Sequence, residues 1–265
     1  MKVGKKTAST EGKTAAGLRR RKGIYLLPNL FTTAALFAGF FAMVAAIDGK
    51  FQVAAIAVYV AMVLDGLDGR VARLTNTQTD FGKEFDSLAD MVSFGLAPGL
   101  VVYVWAFSGM QEMGWYWFQL GWLAAFLYTA CAALRLARFN TQAGNSEDKR
   151  YFRGLPSPSG AAVVAGTVWF FDDMGVAGAT VALPTLLITV AAGALMVSNL
   201  SYYSFQDIKL NERVPFTYML GIVLVFTLIA INPPLVLYSL FALYVLSGPA
   251  LAGYRGWRKY RERRA

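Results

Sequence analysis

Eight apolar runs dominate this chain, and most are long enough to cross the hydrocarbon of a bilayer as helices. Such a crossing covers ~30 Å and takes about 20 residues at 1.5 Å each. The runs fall at 29–47, 52–73, 84–108, 116–138, 158–171, 177–200, 215–231 and 234–252, and short polar segments separate them. Within hydrocarbon every backbone N–H and C=O needs an internal partner, so runs of this kind fold as helices. The chain is 56% hydrophobic and only 15% charged, too few charges for a soluble protein of 265 residues. These features predict an all-α integral membrane protein with about eight transmembrane helices in one bundle. The fifth run is short, and Gly160 and Gly166 within it suit close helix packing.

Charge then sets an orientation. Twenty-five Lys and Arg stand against sixteen Asp and Glu, for a net charge of +9. The basic residues crowd the two ends and a few connecting segments. No soluble domain carries them, which argues against a nucleic-acid partner. With a cytoplasmic N-terminus and eight spans, the arm at 1–22, the segments 70–83 and 138–153, Lys209, Arg213 and the tail all fall inside. Asp48, Lys50, Glu112, Asp172 and Asp173 fall outside, with Lys50 the only basic residue there. The positive-inside rule therefore predicts a multi-pass protein of the cell (inner) membrane with both termini cytoplasmic. Residues 1–22 are expected to form a disordered basic arm that touches anionic headgroups, and residues 254–265 a basic tail. Tyr202, Tyr203, Trp257 and Tyr260 are expected as interfacial anchors, and Pro98 and Pro184 as helix kinks.

Histidine is absent and Cys131 is the single cysteine. No intramolecular disulfide and no His-containing metal site or triad can form. Chemistry must run on carboxylates, hydroxyls, Lys, Arg, Tyr or a hard cation.

One stretch supplies the carboxylates: LDGLDGRVARLTNTQTDFGKEFDSLAD, residues 64–90. Asp65 and Asp68 lie three apart, on one helical face, with Gly69 and Ala72 on or beside it. Gly82, Asp86 and Asp90 step by four and form one stripe on the next helix. The polar, turn-prone link between them predicts an antiparallel hairpin with its four acids facing each other. A helix entering near Gln52 carries Asp65 about 20 Å across, within reach of the cytoplasm. Four carboxylates cannot all stay ionised in low dielectric without compensation. Arg70 and Arg73 are the local cations, too few for four acids. An all-oxygen cluster suits Mg²⁺ or Mn²⁺, and four carboxylates can hold two ions. Asp80 and Glu84 read instead as charges at a helix start. Gly69, Ala72 and Gly82 fit either close helix packing or space for a pyrophosphate beside the metals.

The spacing Asp65-x-x-Asp68-Gly69-x-x-Ala72-Arg73, eight residues, then Gly82-x-x-x-Asp86-x-x-x-Asp90 resembles the signature of the CDP-alcohol phosphotransferases. The entry LPNLFTTAALFAGF resembles that family's first helix, while ALRLARFN (133–140) and FRGLPSPSGAA (152–162) resemble its phosphatidylserine synthase branch. The likeness covers roughly residues 24–200. It implies a six-helix catalytic core at 23–200, with two additional helices at 201–253. It further implies a di-metal site holding the pyrophosphate of CDP-diacylglycerol, whose lipid-side phosphorus an acceptor alcohol attacks as CMP leaves. Asp65, Asp68, Asp86 and Asp90 would ligate metal, and Asp90 would also accept the hydroxyl proton. Asn29, Thr32, Gly69, Ala72, Arg73, Thr79 and Gly82 would lie along CDP-diacylglycerol.

The acceptor has to be read elsewhere. Arg135 and Arg138 share a face at the cytoplasmic end of the fourth span, where they are either topology anchors or a clamp for a carboxylate or phosphate. With Asn140 they fit the carboxylate of serine, the acceptor that the branch implies. GLPSPSG (154–160) is either a helix-entry loop or a lip over that pocket. Glycerol 3-phosphate, choline or an inositol derivative remain open as acceptors. A homodimer stays open too. A different class, a divalent-cation transporter, would also place acids in a membrane. It predicts polar residues continuing to the far face, where the third span offers only Ser93 and Tyr103.

Overall fold

The structure is a computed structural model that describes residues 10–75, 79–142, 151–203 and 216–262. Its helices are α1 (Thr10–Ile47), α2 (Phe51–Thr75), α3 (Asp80–Asp90), α4 (Ala97–Val102), α5 (Trp115–Gln142), α6 (Ser157–Asp173), α7 (Ala182–Val197), α8 (Phe216–Ile231) and α9 (Pro233–Glu262). Six helical stretches among the described residues are long and apolar enough to cross a membrane: Asn29–Ile47, Phe51–Val71, Asp80–Glu112, Trp115–Thr141, Gly178–Val197 and Pro233–Arg255. The other two apolar runs are also helical but shorter, namely α6 and Met219–Ile231 within α8. The fold is an all-α membrane bundle.

α6 is short because it is an interior helix. From Ser159 to Val168 it is buried without a break, packed against α2, α4, α7 and α9. Protein shelters that stretch, so it need not face lipid there. Its glycines set the approach distances. A Cβ on Gly166 would sit 2.6 Å from the Tyr59 hydroxyl, and one on Gly160 would collide with the Met196 methyl. Tyr59 Oη donates to the Ala162 carbonyl at 2.8 Å, joining α2 to α6. Interhelical bonds of this kind contribute about 0.6 kcal/mol each in membrane proteins.

The third span is continuous but not uniform. After α3 it widens into a π-helical stretch, Met91–Leu96, passes through α4, and widens again at Tyr103–Phe107. Pro98 explains the first widening, since it has no N–H for the Phe94 carbonyl four residues back. The Ala97 N–H bonds five residues back, to the Val92 carbonyl. α5 then satisfies what the widening frees. Tyr128 Oη donates to the Phe94 carbonyl at 2.8 Å, and Thr129 Oγ1 to the Gly95 carbonyl at 3.2 Å. Pro184, by contrast, makes no kink. It sits in the first turn of α7, where a missing N–H costs nothing.

Two expectations meet a different structure, and one small element was not expected. α1 begins at Thr10, so residues 10–22 of the expected disordered arm are helical, an extension of the membrane helix through Ala-, Lys- and Arg-rich sequence. Residues 1–9 of that arm lie outside the described ones. The chain also forms a small antiparallel ribbon, β1 (Tyr151–Arg153) against β2 (Ser201–Tyr203), paired Tyr151 to Tyr203 and Arg153 to Ser201. Its aromatic residues favour extended backbone. Finally, Tyr202 is no interfacial anchor: it is fully buried and donates to the Val245 carbonyl of α9 at 3.0 Å. Burial and the neighbouring Tyr244 push its phenol up to about 12, so it remains the donor. Tyr203 and Trp257 are exposed, as expected of anchors, and the side chain of Tyr260 lies outside the described ones.

Candidate active site

The two helices bearing the acids meet as the helical periods require. Thr79 caps α3, its Oγ1 accepting the Gly82 N–H at 3.0 Å and satisfying a donor that the first turn leaves open. From there α3 carries Asp86 and Asp90 alongside Asp65 and Asp68 of α2. Carboxylate oxygens of Asp65, Asp68 and Asp86 all lie within 4.8 Å of one another. Asp90 stands outside that trio, one turn deeper on α3, with its carboxyl in hydrogen-bonding reach of Asp65.

Asp68 is 5% exposed. Thr32 of α1 holds it, donating from Oγ1 to Oδ2 at 2.8 Å. Thr32 thus meets the cluster through a carboxylate. Asn29, one turn earlier, comes alongside Gly82, where an added Cβ would lie 3.6 Å from its Oδ1 and 3.1 Å from Thr79 Oγ1. Gly69 differs: among the described residues, a Cβ there would meet nothing within 4 Å. Packing among the described residues does not require glycine at 69, and none of them fills the space at that position. The side chains of Ala72 and Arg73 lie outside the described ones.

Among the described residues, no Lys or Arg forms an ion pair with these acids. Hard oxygen donors, close spacing and an open face beside them fit a divalent cation such as Mg²⁺ or Mn²⁺.

The residues expected around the acceptor separate into three roles. Arg135 is the one directed toward the acids, with Asp90 and Asp65 in electrostatic reach of its guanidinium. Its Nη1 donates to Ser157 Oγ at 2.8 Å, while its buried Nε has no partner among the described residues. Arg138 turns elsewhere and donates to the backbone carbonyls of Arg153, Met196, Val197 and Ser198. Asn140 Nδ2 donates to Ser87 Oγ at 2.9 Å, bracing α5 against α3 next to Asp86. Two further residues reach this group: Ser157, within the GLPSPSG segment read as a helix-entry loop or a lip, and Tyr244, which the sequence did not single out. Ser157, fully buried, opens α6, and a serine at a helix start reads as a cap. Tyr244 of α9 also lies in electrostatic reach of Arg135, but an aromatic in an apolar helix carries no signal.

The polar cluster ends just beyond Asp90. Ser93, next toward the far face, gives its hydroxyl to the Ala35 carbonyl at 3.0 Å, and Phe94, Gly95 and Ala97 follow, all buried. The acids cluster toward one end of the span, with no polar path continuing from Asp90 among these residues.

Bundle and cluster together define a class: polytopic membrane enzymes that gather carboxylates from a helical hairpin at one end of the fold. Comparison with known proteins narrows this further. The family profile described as CDP-alcohol phosphatidyltransferase matches residues 25–246, and the chain belongs to that family of phospholipid-synthesising transferases. The CDP-diacylglycerol–serine O-phosphatidyltransferase of Helicobacter pylori is 37% identical over 226 residues, 85% of this chain and 90% of its own. That of Mycobacterium leprae is 27% identical over 243 residues, 90% of this chain and 78% of its own. The archaetidylserine synthase of Methanothermobacter thermautotrophicus is 31% identical over 180 residues, 66% of this chain and 69% of its own.

Proposed function

We propose that this enzyme transfers the phosphatidyl group of CDP-diacylglycerol to the hydroxyl of L-serine, giving phosphatidylserine and CMP. One observation carries the chemistry: three carboxylates within 4.8 Å of one another with Asp90 against them, on an open face. The names of the relatives support serine as the acceptor.

Asp65, Asp68 and Asp86, with Asp90 as a fourth ligand, would hold two Mg²⁺ or Mn²⁺ ions. Bound there, the ions supply the positive charge that a pyrophosphate beside buried carboxylates needs. The residues of the chain do the rest. The CDP moiety would lie over Gly69, and the family likeness assigns Asn29, Ala72, Arg73, Thr79 and Gly82 to it. Asp90 accepts the serine hydroxyl proton. The serine oxygen bonds to the phosphorus bearing diacylglycerol, and the bond from that phosphorus to the bridging oxygen breaks. The electron pair leaves with CMP. Arg135, fixed through Ser157, offers its guanidinium to the serine carboxylate. Charge asymmetry supports placing the site and both termini on the cytoplasmic side of the inner membrane.

The test is CMP release by purified protein given CDP-diacylglycerol, Mn²⁺ and one alcohol at a time. L-Serine should support release, while glycerol 3-phosphate, choline and inositol should not. Release with another alcohol and none with serine would overturn the acceptor. No release with any of them would overturn the reaction.

A further inference from the structure

Arg138 and Gly154 have no part in the reaction as drawn, yet they meet at one point. Arg138 Nη2 donates to the Arg153 carbonyl at 2.8 Å and, more loosely, to those of Met196 and Ser198 at 3.3 and 3.4 Å. Its Nη1 donates to the Val197 carbonyl at 3.1 Å. Carbonyls at the end of α7 have no helical N–H left to accept, and a guanidinium fork can satisfy several at once. The cation also complements the negative end of the helix dipole. Gly154 makes this convergence possible. Its φ of +82° lies in the left-handed region, and a Cβ there would meet Arg138 Nη2 at 2.7 Å, the Ser198 carbonyl at 3.0 Å and the Met196 carbonyl. Backbone bonds complete the closure, Gly154 N–H to the Leu200 carbonyl at 2.8 Å and Leu155 N–H to that of Leu195 at 3.0 Å.

This closure leads to the acceptor side. Three residues past Gly154, Ser157 accepts from Arg135, which lies one turn before Arg138 on α5. Ser157 is fully buried, so its place is set by the segment that delivers it.

We propose that Arg138 is a positioning residue for the acceptor. It clamps residues 153–157 to the end of α7, so that Ser157 holds the Arg135 guanidinium beside Asp90. Arg138 itself does not touch serine. The proposal rests on the serine reading above, and its test keeps the two apart.

The test is a double-mutant cycle on the full-length protein with CDP-diacylglycerol, Mn²⁺ and L-serine. Arg138→Lys keeps the charge but loses the fork. It raises the serine KM roughly tenfold through misplacement, with the KM for CDP-diacylglycerol unchanged. Ser157→Ala raises the serine KM as well. Because both act on one chain of contacts, the double variant is no worse than the worse single one. Effects that multiply, as direct contact between Arg138 and serine would give, overturn the proposal. So does a serine KM unmoved in Arg138→Lys. CDP-diacylglycerol should raise the melting temperature of each variant as it does that of the wild type, which checks that the carboxylate end is folded. A measurement on the wild type needs no variant at all. Serine added with Mn²⁺ and CMP slows amide exchange over residues 152–158, and unchanged exchange there overturns the proposal. A wild type that releases no CMP with serine refutes the acceptor reading instead.

Discussion

Thr32 offers the sharpest way to perturb the proposed metal site without removing a carboxylate. Its hydroxyl donates to Asp68 Oδ2 at 2.8 Å, and the two residues are 4% and 5% exposed, so water cannot readily replace the bond. Thr32→Val keeps the side-chain shape and deletes the donor. A hydrogen bond to a charged group contributes about 1.5–3 kcal/mol, or roughly 10- to 150-fold in an equilibrium constant. Partners that orient a metal ligand are worth roughly 10- to 100-fold in affinity, so the two scales agree. Thr32→Val should therefore raise the Mn²⁺ concentration for half-maximal CMP release by about 10- to 100-fold, with most of kcat recovered at saturating Mn²⁺. Thr32→Ser keeps the donor and should stay within about threefold of wild type. The assay is a Mn²⁺ titration of CMP release at fixed CDP-diacylglycerol and serine. A Thr32→Val curve superimposable on wild type would refute the reasoning, because Asp68 would then not depend on Thr32 to face a cation.

Asp90→Asn should abolish CMP release while CDP-diacylglycerol still raises the melting temperature, and near-wild-type kcat would remove Asp90 as the proton acceptor. Gly69→Ala and Gly166→Ala should part company: the first meets open space, leaving the melting temperature in place while raising the KM for CDP-diacylglycerol. The second drives a methyl against the Tyr59 hydroxyl and should cost about 1–3 kcal/mol of stability, read as a lower melting temperature in detergent. Tyr128→Phe leaves the Phe94 carbonyl without its donor at the π-helical stretch, and should destabilise by about 1–3 kcal/mol in the same melt.

The carboxylate hairpin was legible because its information is local. Spacings of three and four place Asp65 with Asp68 and Asp86 with Asp90 whatever surrounds them, and a polar link of a few residues leaves little choice but an antiparallel return. Apolar run length gave the helices for the same reason. What escaped depends on contacts between distant segments. Arg138 was open between topology anchor and acceptor clamp, and its partners at 196–198 lie about 60 residues away and are backbone carbonyls, which no side-chain pattern marks. Tyr202 looked like an interfacial anchor, but Gly248 of α9 leaves the space that its ring fills. Ribbon strands of three residues are too short for an alternation pattern to show.

As proposed, this carboxylate cluster makes phosphatidylserine with a divalent cation. The direct measurement is incorporation of isotopically labelled L-serine into lipid by purified protein in CDP-diacylglycerol micelles, first in excess EDTA and then with Mn²⁺ returned. Labelled phosphatidylserine should be absent in EDTA and appear, mole for mole with CMP, once Mn²⁺ is restored. Full incorporation in EDTA, or none after Mn²⁺ is returned, would contradict it.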